Sequence, residues 1–179
     1  MLLPENECDN QDNQTMKSLW QGAVLMLAVL IAFNASGKKD SAIADSVGYL
    51  TPQQILASYP EFKSGYQDYQ PSPADIEHIK KLTGKELLVM FGNWCHDSQR
   101  EIPRLLKLLD SSGVELQKLT LLAVDRTKQE PSGKAKANRL KYTPTIVLLE
   151  GDKELGRIVE RPRTTLAQDL ASMLGNQEY

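Results

Sequence analysis

The sequence predicts an α/β fold whose central mixed sheet of about four strands is flanked by helices. Three short, continuous apolar runs have the pattern of strands that are buried on both faces, and helix-like segments separate them. This alternation predicts parallel neighbouring strands. Gly151-Asp152 lies between the third run and a fourth strand-like run, so the last two strands are expected to form an antiparallel hairpin at the sheet edge.

The segment before the first apolar run predicts an N-terminal helical extension. Thr51-Pro52 is typical of a helix start, a capping residue followed by proline, and predicts a short helix to about Ser58. The tyrosine-rich stretch 59–73 contains many turn residues and predicts ordered but irregular packing on the domain surface. Residues 73–82 predict a helix from their apolar spacing, and the small, polar and charged residues 36–51 predict a linker.

The elements of the sheet region follow from the period of their apolar residues. Strands are expected at residues 86–91, 119–124, 145–150 and 154–160. Helices are expected at residues 97–109, 132–141 and 164–174. In the first of these helices, Ile102, Leu105, Leu106 and Leu109 fall on one face. The second is only weakly apolar, and the third is amphipathic with threonine as its cap.

The first 44 residues are expected to direct the protein rather than to fold with it. Residues 22–33 are an uncharged apolar run, shorter than the roughly 20 residues that span a bilayer and typical of a signal peptide. Met16 and Lys17 supply the positive start of such a peptide. Residues 1–15 are therefore expected to be a non-native start or a short cytoplasmic tail. Residues 16–44 are expected to be a signal peptide or N-terminal membrane anchor plus linker.

The rest of the chain is then divided into an extension, 45–72, and a main domain, 73–179, exported to the periplasm. This body has a formal charge of zero and no basic stripe, which argues against nucleic acid as a partner. The chain has two cysteines, Cys8 and Cys95, and only Cys95 belongs to the body. No Cys/His cluster at metal-ligand spacing accompanies it, so neither a metal nor another cofactor is expected. A lone thiol in an oxidising compartment is either buried and inert or paired outside the chain.

Four features of the body form a more specific pattern. Trp94-Cys95 ends a buried strand and opens a helix, and Pro103 follows eight residues after the cysteine. Thr143-Pro144 immediately precedes a strand, and Gly151-Asp152 lies at the last hairpin. Together they resemble the thioredoxin-like superfamily over about residues 73–175. The stretches "WCHDSQREIPRLLKLLD" and "GRIVERP" are similar to those of bacterial thioredoxin-family proteins that carry a Trp-Cys-x-Asp-Ser/Cys motif.

The resemblance implies thiol–disulfide exchange, but two positions depart from the usual pattern. Ser98 stands where the second cysteine of Cys-x-x-Cys would be, and Val89 stands where many thioredoxins have a buried acidic residue. An attack by Cys95 on a disulfide would therefore stop at a mixed disulfide, because serine cannot displace the substrate. Release would need an external reductant thiol. The expected partners are protein or small-molecule thiols and disulfides.

The expected catalytic residues are Cys95 and Ser98. At the first turn of a helix, the sulfur would face free backbone N–H groups and the positive end of the helix dipole, which favour a thiolate. Ser98, one turn on, could donate its hydroxyl hydrogen to that thiolate, and Arg100 and Arg104 could add positive potential. His96 is expected to be an exposed titrating neighbour.

The resemblance also implies a substrate groove shaped by Trp94, His96, Thr143 and Pro144. Pro144 is expected to follow a cis peptide bond beside Cys95, which leaves the backbone of Thr143 to pair with an extended substrate. The alternative is a non-catalytic binding module of the same fold, using this groove or the tyrosines at 59, 66 and 69 to hold a partner. A peroxidase of this fold fits less well, because no Thr-x-x-Cys pattern surrounds the cysteine. The charged stretch "RTKQEPSGKAK" is interpreted as a solvated loop.

Overall fold

The computed structural model describes residues 46–175. The predictions for residues 1–15, for the apolar run at 22–33 and for the remainder of the 16–44 segment lie outside the described residues. Across residues 46–175, the structure contains no helix of the length and apolarity that crossing a membrane requires.

The described chain forms one mixed sheet with helices on both of its faces. The strands are β1 (Gly48–Leu50), β2 (Glu86–Phe91), β3 (Lys118–Ala123), β4 (Thr145–Glu150) and β5 (Lys153–Val159). The helices are α1 (Pro52–Ser58), α2 (Pro60–Asp68), α3 (Pro73–Lys80), α4 (His96–Ser112), α5 (Lys134–Ala137) and α6 (Leu166–Gly175). The strand order is β1-β3-β2-β4-β5. Strands β2 and β3 are parallel, as predicted. Strand β4, however, pairs antiparallel with β2, so the parallel pairing that the alternation of strands and helices predicts is wrong for this strand. The predicted hairpin of β4 and β5 is antiparallel, and β1 also pairs antiparallel with β3.

The sheet has five strands, one more than the pattern of apolar runs predicts. The additional strand, β1, lies within the segment 36–51 that was interpreted as linker, and it pairs antiparallel with β3. Its three residues are too few to show the alternation by which a strand is recognised in sequence. Pairing with β3 therefore defines this strand.

Two helices also differ from prediction. Residues 60–68, expected to be irregular, form α2, which begins with Pro60 at its first turn and buries Phe62 completely. Tyrosine, glycine and proline make this stretch look turn-like, but packing against α4 stabilises it as a helix. The helix expected over 132–141 is limited to α5, because Arg139 adopts a left-handed conformation with φ of 55° just beyond its end.

The hydrophobic core has a larger and a smaller part. The larger part joins the sheet to the extension and to α4 and α6. Ile55 and Phe62 of the extension are completely buried there, and the Phe62 ring lies 5.9 Å from that of Phe91. The smaller part consists of Leu88, Met90, Leu122, Val124, Ala135 and Val147. All of these core residues lie within one compact unit, residues 42–179, which therefore has a hydrophobic core of its own.

This architecture is a thioredoxin-like fold, which confirms the fold class. A buried strand, β2, leads through Trp94-Cys95 into the long helix α4, which contains Pro103. The Thr143–Pro144 peptide bond is cis and immediately precedes β4. The terminal hairpin and α6 complete the fold. Val89, which stands where many thioredoxins have a buried acidic residue, is part of the hydrophobic core.

Candidate active site

Cys95 lies at the point where β2 ends and α4 begins. It is the N-cap residue of α4, with extended backbone angles of −95° and 123°, so its sulfur lies beside the first turn of the helix. The side chain is half-buried. The thiol donates a hydrogen bond to the main-chain carbonyl of Thr143, with 3.0 Å between Sγ and O. The structure therefore brings Cys95 and the Thr143-Pro144 loop together, 48 residues apart in sequence.

The Thr143-Pro144 loop is held by its own hydrogen bonds. Thr143 and Pro144 are both buried. The Thr145 hydroxyl donates to the carbonyl of Tyr142 at 2.7 Å, and the backbone N–H of Glu160 donates to the carbonyl of Pro144 at 2.8 Å. These bonds hold the residues on either side of Thr143, so the Thr143 carbonyl is a fixed acceptor for the Cys95 thiol. The cis peptide bond expected between Thr143 and Pro144 is confirmed.

Ser98 lies below the surface of the site. It is completely buried, and its hydroxyl oxygen accepts a hydrogen bond from the backbone N–H of Gly92 at 3.3 Å. This bond joins the end of β2 to the first turn of α4. A hydroxyl can accept and donate at once, so the Ser98 proton is still available to a thiolate one turn earlier. Its predicted role in supporting the Cys95 thiolate stays a prediction.

Trp94 lies against glycine and points away from the Thr143 loop. A Cβ added at Gly92 would come within 2.5 Å of the indole ring, so only glycine leaves room for the ring in this position. The indole N–H donates to the carbonyl of Val124, which follows β3, at 3.3 Å. In the sheet, β2 lies between β3 and β4, so Trp94 leans toward one neighbour and Cys95 toward the other.

Two cations contact this tryptophan. They belong to the stretch 126–136, for which the sequence predicts a solvated loop. The Arg126 guanidinium carbon lies 5.4 Å from the Trp94 ring centroid, and the Lys128 ammonium lies 6.0 Å from it. These distances are those of cation–π contacts. No local signal in the stretch 126–136 distinguishes the two from the other cations there. Arg126 and Lys128 reach Trp94 because β3 pairs with β2, which places the loop after β3 beside the loop after β2.

The charges on α4 are arranged differently from the sequence interpretation. Arg100 pairs with Glu101 at 2.5 Å and with Asp97 at 2.8 Å, so its positive charge is used within the helix. The hydrogen bond to Glu101 is the main reason why the pKa of the Arg100 guanidinium is raised. Arg104 stacks on the Tyr69 ring of the extension. Arg104 also lies 3.8 Å from Glu101, so both arginines lie near carboxylates of their own helix. Their effect on the Cys95 thiolate stays a prediction.

His96 and Asp97 are the first two residues of α4, and Asp97 is half-buried. His96 is the first residue of α4 and is exposed, as predicted. Asp97 also lies 3.8 Å from Arg161, which comes from the loop after β5. No group of three His, Cys, Asp or Glu side chains that could hold a metal ion occurs within residues 46–175.

The tyrosine-rich segment is used inside the fold. Tyr59 is only 6% exposed, and the Tyr66 hydroxyl donates to the Asp110 carboxylate of α4 at 2.7 Å. Lys107 stacks on the Tyr66 ring, and Arg104 stacks on that of Tyr69. Tyr66 and Tyr69 therefore join the extension to α4. Both stay half-buried, and the suggestion that this segment holds an external partner stays a prediction.

The described residues thus have a thioredoxin-like fold, with one cysteine at the start of its long helix. No protein-family model matches the chain, and no curated protein matches it. Among solved structures, a protein of unknown function from Pseudomonas aeruginosa shares 20% identity with a TM-score of 0.48, over 69% of this chain and 84% of that one. The topology described above, rather than such similarities, carries the fold assignment.

Two thioredoxins are also among the similar solved structures. Thioredoxin-2, a component of the protein secretion machinery of the malaria parasite, is 25% identical, with a TM-score of 0.38 over 52% of this chain and 82% of that one. Mitochondrial thioredoxin 3 of Saccharomyces cerevisiae is 20% identical, with a TM-score of 0.33 over 53% of this chain and 86% of that one.

Proposed function

We propose that this protein exchanges thiols and disulfides through Cys95 alone. The observation that carries the proposal is the position of Cys95, half-buried at the N-cap of α4, with its Sγ 3.0 Å from the Thr143 carbonyl oxygen. The unsatisfied backbone N–H groups at a helix start stabilise a thiolate, which is the form that attacks disulfides. The neighbouring carbonyl gives an extended substrate a backbone acceptor beside the reacting sulfur.

In the first step, the Cys95 thiolate attacks one sulfur of a disulfide RS–SR′. A new S–S bond joins Cys95 to the R group, and R′S⁻ leaves with the electron pair of the broken bond. The thiol proton passes to solvent or to the leaving thiolate. Loss of the S–H donor also frees the Thr143 carbonyl, which can then accept a backbone N–H of the bound segment. The Thr143 carbonyl is therefore free from the moment the thiolate forms, before the substrate is captured.

The second step needs a thiol from outside the chain. An external thiolate R″S⁻ attacks the R sulfur of the mixed disulfide, forms RS–SR″ and expels the Cys95 thiolate. Ser98 cannot take this part, because a hydroxyl oxygen forms no disulfide. Its proposed part is to donate its hydrogen to the thiolate while it accepts from Gly92. The cycle can rearrange disulfides or attach a thiol compound to a protein thiol. It does not by itself give a net two-electron reduction of a disulfide.

We also propose that the cycle operates outside the cytoplasm, as the apolar run at 22–33 after Lys17 suggests. A reporter enzyme that is active only after export, fused behind residue 44 and expressed in a bacterium, tests this. Activity is expected with residues 16–44 present and none with residues 16–33 deleted. Equal inactivity of both fusions would contradict export.

The exchange reaction is tested on residues 42–179, the compact unit in which Cys95 is the only cysteine. The reduced protein is mixed with bis(2-hydroxyethyl) disulfide, a small uncharged probe, and the adduct is followed by mass spectrometry. We expect one hydroxyethylthio group per chain, formed about tenfold faster on the native than on the unfolded chain near neutral pH. Addition of free 2-mercaptoethanol should remove it.

Two variants complete the test. Cys95→Ser should form no adduct while keeping the native circular dichroism spectrum. Ser98→Cys places a second thiol one turn from Cys95 and should confer net reduction of a protein disulfide, ending in an intramolecular bond. An adduct that forms only on the unfolded chain, together with an inactive but folded Ser98→Cys variant, would overturn exchange and favour the non-catalytic binding module.

A further inference from the structure

Trp94 carries two cations on the side of Cys95 that faces β3. The Arg126 guanidinium and the Lys128 ammonium lie 5.4 and 6.0 Å from the indole centroid. Within residues 46–175, no carboxylate lies within 4.0 Å of either cationic group. Both cationic groups contact the indole ring instead. Arg126 is exposed and Lys128 is half-buried. Their positive charge is therefore offered to solvent immediately beside the reacting cysteine.

A rigid turn holds these cations in place. One oxygen of Asp125 accepts from the backbone N–H of Thr127 at 2.8 Å, from its hydroxyl at 2.7 Å and from the N–H of Gln129 at 2.9 Å. These hydrogen bonds lower the pKa of Asp125, and the bond from the Gln129 N–H has the largest effect. The carboxylate therefore stays ionised, and its oxygen is occupied by donors of the turn. Lys128 has a φ of 63°, which is uncommon for a residue other than glycine. The turn thus arranges Arg126 and Lys128 before any ligand arrives.

The loops at this end of the sheet carry a net positive charge. Two carboxylates lie in the first turns of the adjoining helices: Asp97 of α4, 3.8 Å from Arg161, and Asp169 of α6, which accepts from the Arg163 backbone N–H at 2.6 Å. The loops here join β2 to α4, β3 to α5, α5 to β4 and β5 to α6. Six cations lie in these loops: Arg126, Lys128, Arg139, Lys141, Arg161 and Arg163. Three carboxylates lie there as well: Asp125, Glu130 and Glu160. These loops therefore carry a net charge of +3, while the rest of residues 46–175 carries −1.

We infer that the disulfides exchanged at Cys95 are flanked by carboxylates, and that Arg126 and Lys128 select them. The inference rests on the proposed function and names its substrate class. Thr143 lies on one side of Cys95, and the cation–tryptophan cluster of Trp94, Arg126 and Lys128 lies on the other. A segment that crosses the sulfur pairs its backbone with Thr143 and places its acidic side chains on the cations.

The chemistry stays that of thiol–disulfide exchange. The Cys95 thiolate forms a bond to the substrate sulfur next to the acidic side chains, and the other half of the disulfide leaves as its thiolate. The cations act on encounter and orientation, because an arrangement of like charges raises the association rate of an oppositely charged partner by ten- to a thousandfold at low salt. Specificity for acidic disulfides should therefore appear in the second-order rate and should weaken as salt is added.

The experiment compares three cysteine peptides of equal length, each activated as its 2-pyridyl disulfide. Their flanking residues are Asp/Glu, Asn/Gln or Lys, and release of 2-thiopyridone by reduced residues 42–179 gives the rate. The acidic peptide should react about tenfold faster than the neutral one at low salt, and this ratio should fall toward one at about 0.5 M salt. The Lys peptide should react more slowly than the neutral one.

Paired double variants assign the effect. Arg126→Gln with Lys128→Gln should bring the acidic-to-neutral ratio close to one at low salt. Lys81→Gln with Lys118→Gln removes the same charge at exposed positions far from the active-site loops and should leave the ratio unchanged. A second comparison uses two small disulfides, the acidic 3,3′-dithiodipropionate and the uncharged bis(2-hydroxyethyl) disulfide. It shows whether the acidic substrate is a small molecule or a protein segment. An equal preference there indicates a small acidic disulfide, and a preference confined to peptides indicates a protein segment.

The outcomes separate this inference from the proposed function. If no disulfide reacts faster with the native than with the unfolded chain, the proposed function itself fails. If all three peptides react well but at equal rates, or if both double variants change the ratio equally, exchange stands and the selection by Arg126 and Lys128 is overturned.

Discussion

The Gly92 N–H and the Ser98 hydroxyl form a buried contact between the end of β2 and the first turn of α4. Ser98 is completely buried, and its oxygen accepts from Gly92 at 3.3 Å. A backbone donor that loses its partner inside a protein retains the full cost of its desolvation. The serine that replaces the second cysteine of a dithiol motif thus has a structural task as well as its proposed chemical one.

Replacing Ser98 with alanine should therefore destabilise the protein. The variant leaves the Gly92 N–H without its acceptor, which costs about 1–3 kcal/mol in the free energy of unfolding. Denaturant titration of residues 42–179, followed by the fluorescence of Trp94, measures this, since Trp94 is the only tryptophan of that unit. Ser111→Ala, at an exposed position late in the same helix, is the matched control and should change stability little. Equal stability of the two variants would contradict the structural task of Ser98.

At the scale of elements, helix α2 packs on α4 through a close contact between a glycine and a proline. A Cβ added at Gly65 would lie 2.9 Å from Cγ of Pro103, and the proline ring cannot turn away as a flexible side chain would. The Tyr66–Asp110 hydrogen bond and the Lys107–Tyr66 contact lie further along the same interface. Gly65 therefore permits the close approach of the two helices.

Gly65→Ala should lower stability although alanine is the better helix former. The intrinsic helix preference of alanine is worth about 1 kcal/mol, whereas forcing a methyl group into a packed interface costs about 1–3 kcal/mol and separates the helices. Lys63→Ala, at an exposed position of the same helix, is the control and should be neutral or slightly stabilising. Urea unfolding of the two variants decides the matter, and a Gly65→Ala protein more stable than the parent would show that the interface is loose.

Asp75 connects α3 to the start of α6. Its carboxylate accepts from the hydroxyl of Thr165 at 2.7 Å and from that of Ser72 at 2.7 Å. Partial burial acts to raise the pKa of Asp75, but these hydrogen bonds outweigh it, and the pKa lies below its ordinary value of 3.8. A carboxyl whose pKa is lower in the folded state stabilises the fold above the unfolded-state value, and this contribution is lost as the pH falls through the folded-state value.

Asp75→Asn should accordingly be less stable than the parent near neutral pH, with a difference that shrinks as the pH falls below about 3.8. Thermal unfolding at a series of pH values follows this difference. Glu115→Gln, an exposed position, should show no such trend. A difference for Asp75→Asn that is independent of pH would mean that the ionised carboxylate is not what Thr165 and Ser72 stabilise.

At the scale of the whole molecule, the extension before residue 73 belongs to the hydrophobic core. Ile55 and Phe62 are completely buried, and the Tyr59 and Phe62 rings lie 5.5 Å apart. Burying each such side chain contributes about 1.5–3 kcal/mol, a large part of the few kcal/mol by which a domain is stable. Strand β1 also covers the edge of β3. The extension is therefore expected to be required for folding.

A fragment of residues 73–179 should not unfold cooperatively, whereas residues 42–179 should. Removal of the extension exposes the surface that Ile55 and Phe62 cover and leaves β3 with an open edge. Circular dichroism during urea titration of both fragments provides the measurement. A cooperative transition of the shorter fragment at the same midpoint would show that the extension is an independent addition.

The sequence by itself determined the central elements and the position of the cysteine. Strands β2 and β4 and helix α4 were found because burial and helical period are local patterns, readable from consecutive residues. The resemblance to thioredoxin-like proteins added the cis bond before Pro144 and the four-part motif around Cys95. Each part of these features is a short stretch of neighbouring residues, although the parts of the motif lie far apart in the chain.

The tertiary structure decided what local pattern does not encode. Strand β1 has three residues and is a strand because β3 pairs with it, and α2 is a helix because α4 packs on it. Arg126 reaches Trp94 from 32 positions away in the sequence, and no property of its own stretch indicates that contact. The partner of a charged side chain is set by which segments the fold brings together. The proposed selection of substrate charge therefore depends on the fold, whereas the cysteine proposed to react is visible in the sequence.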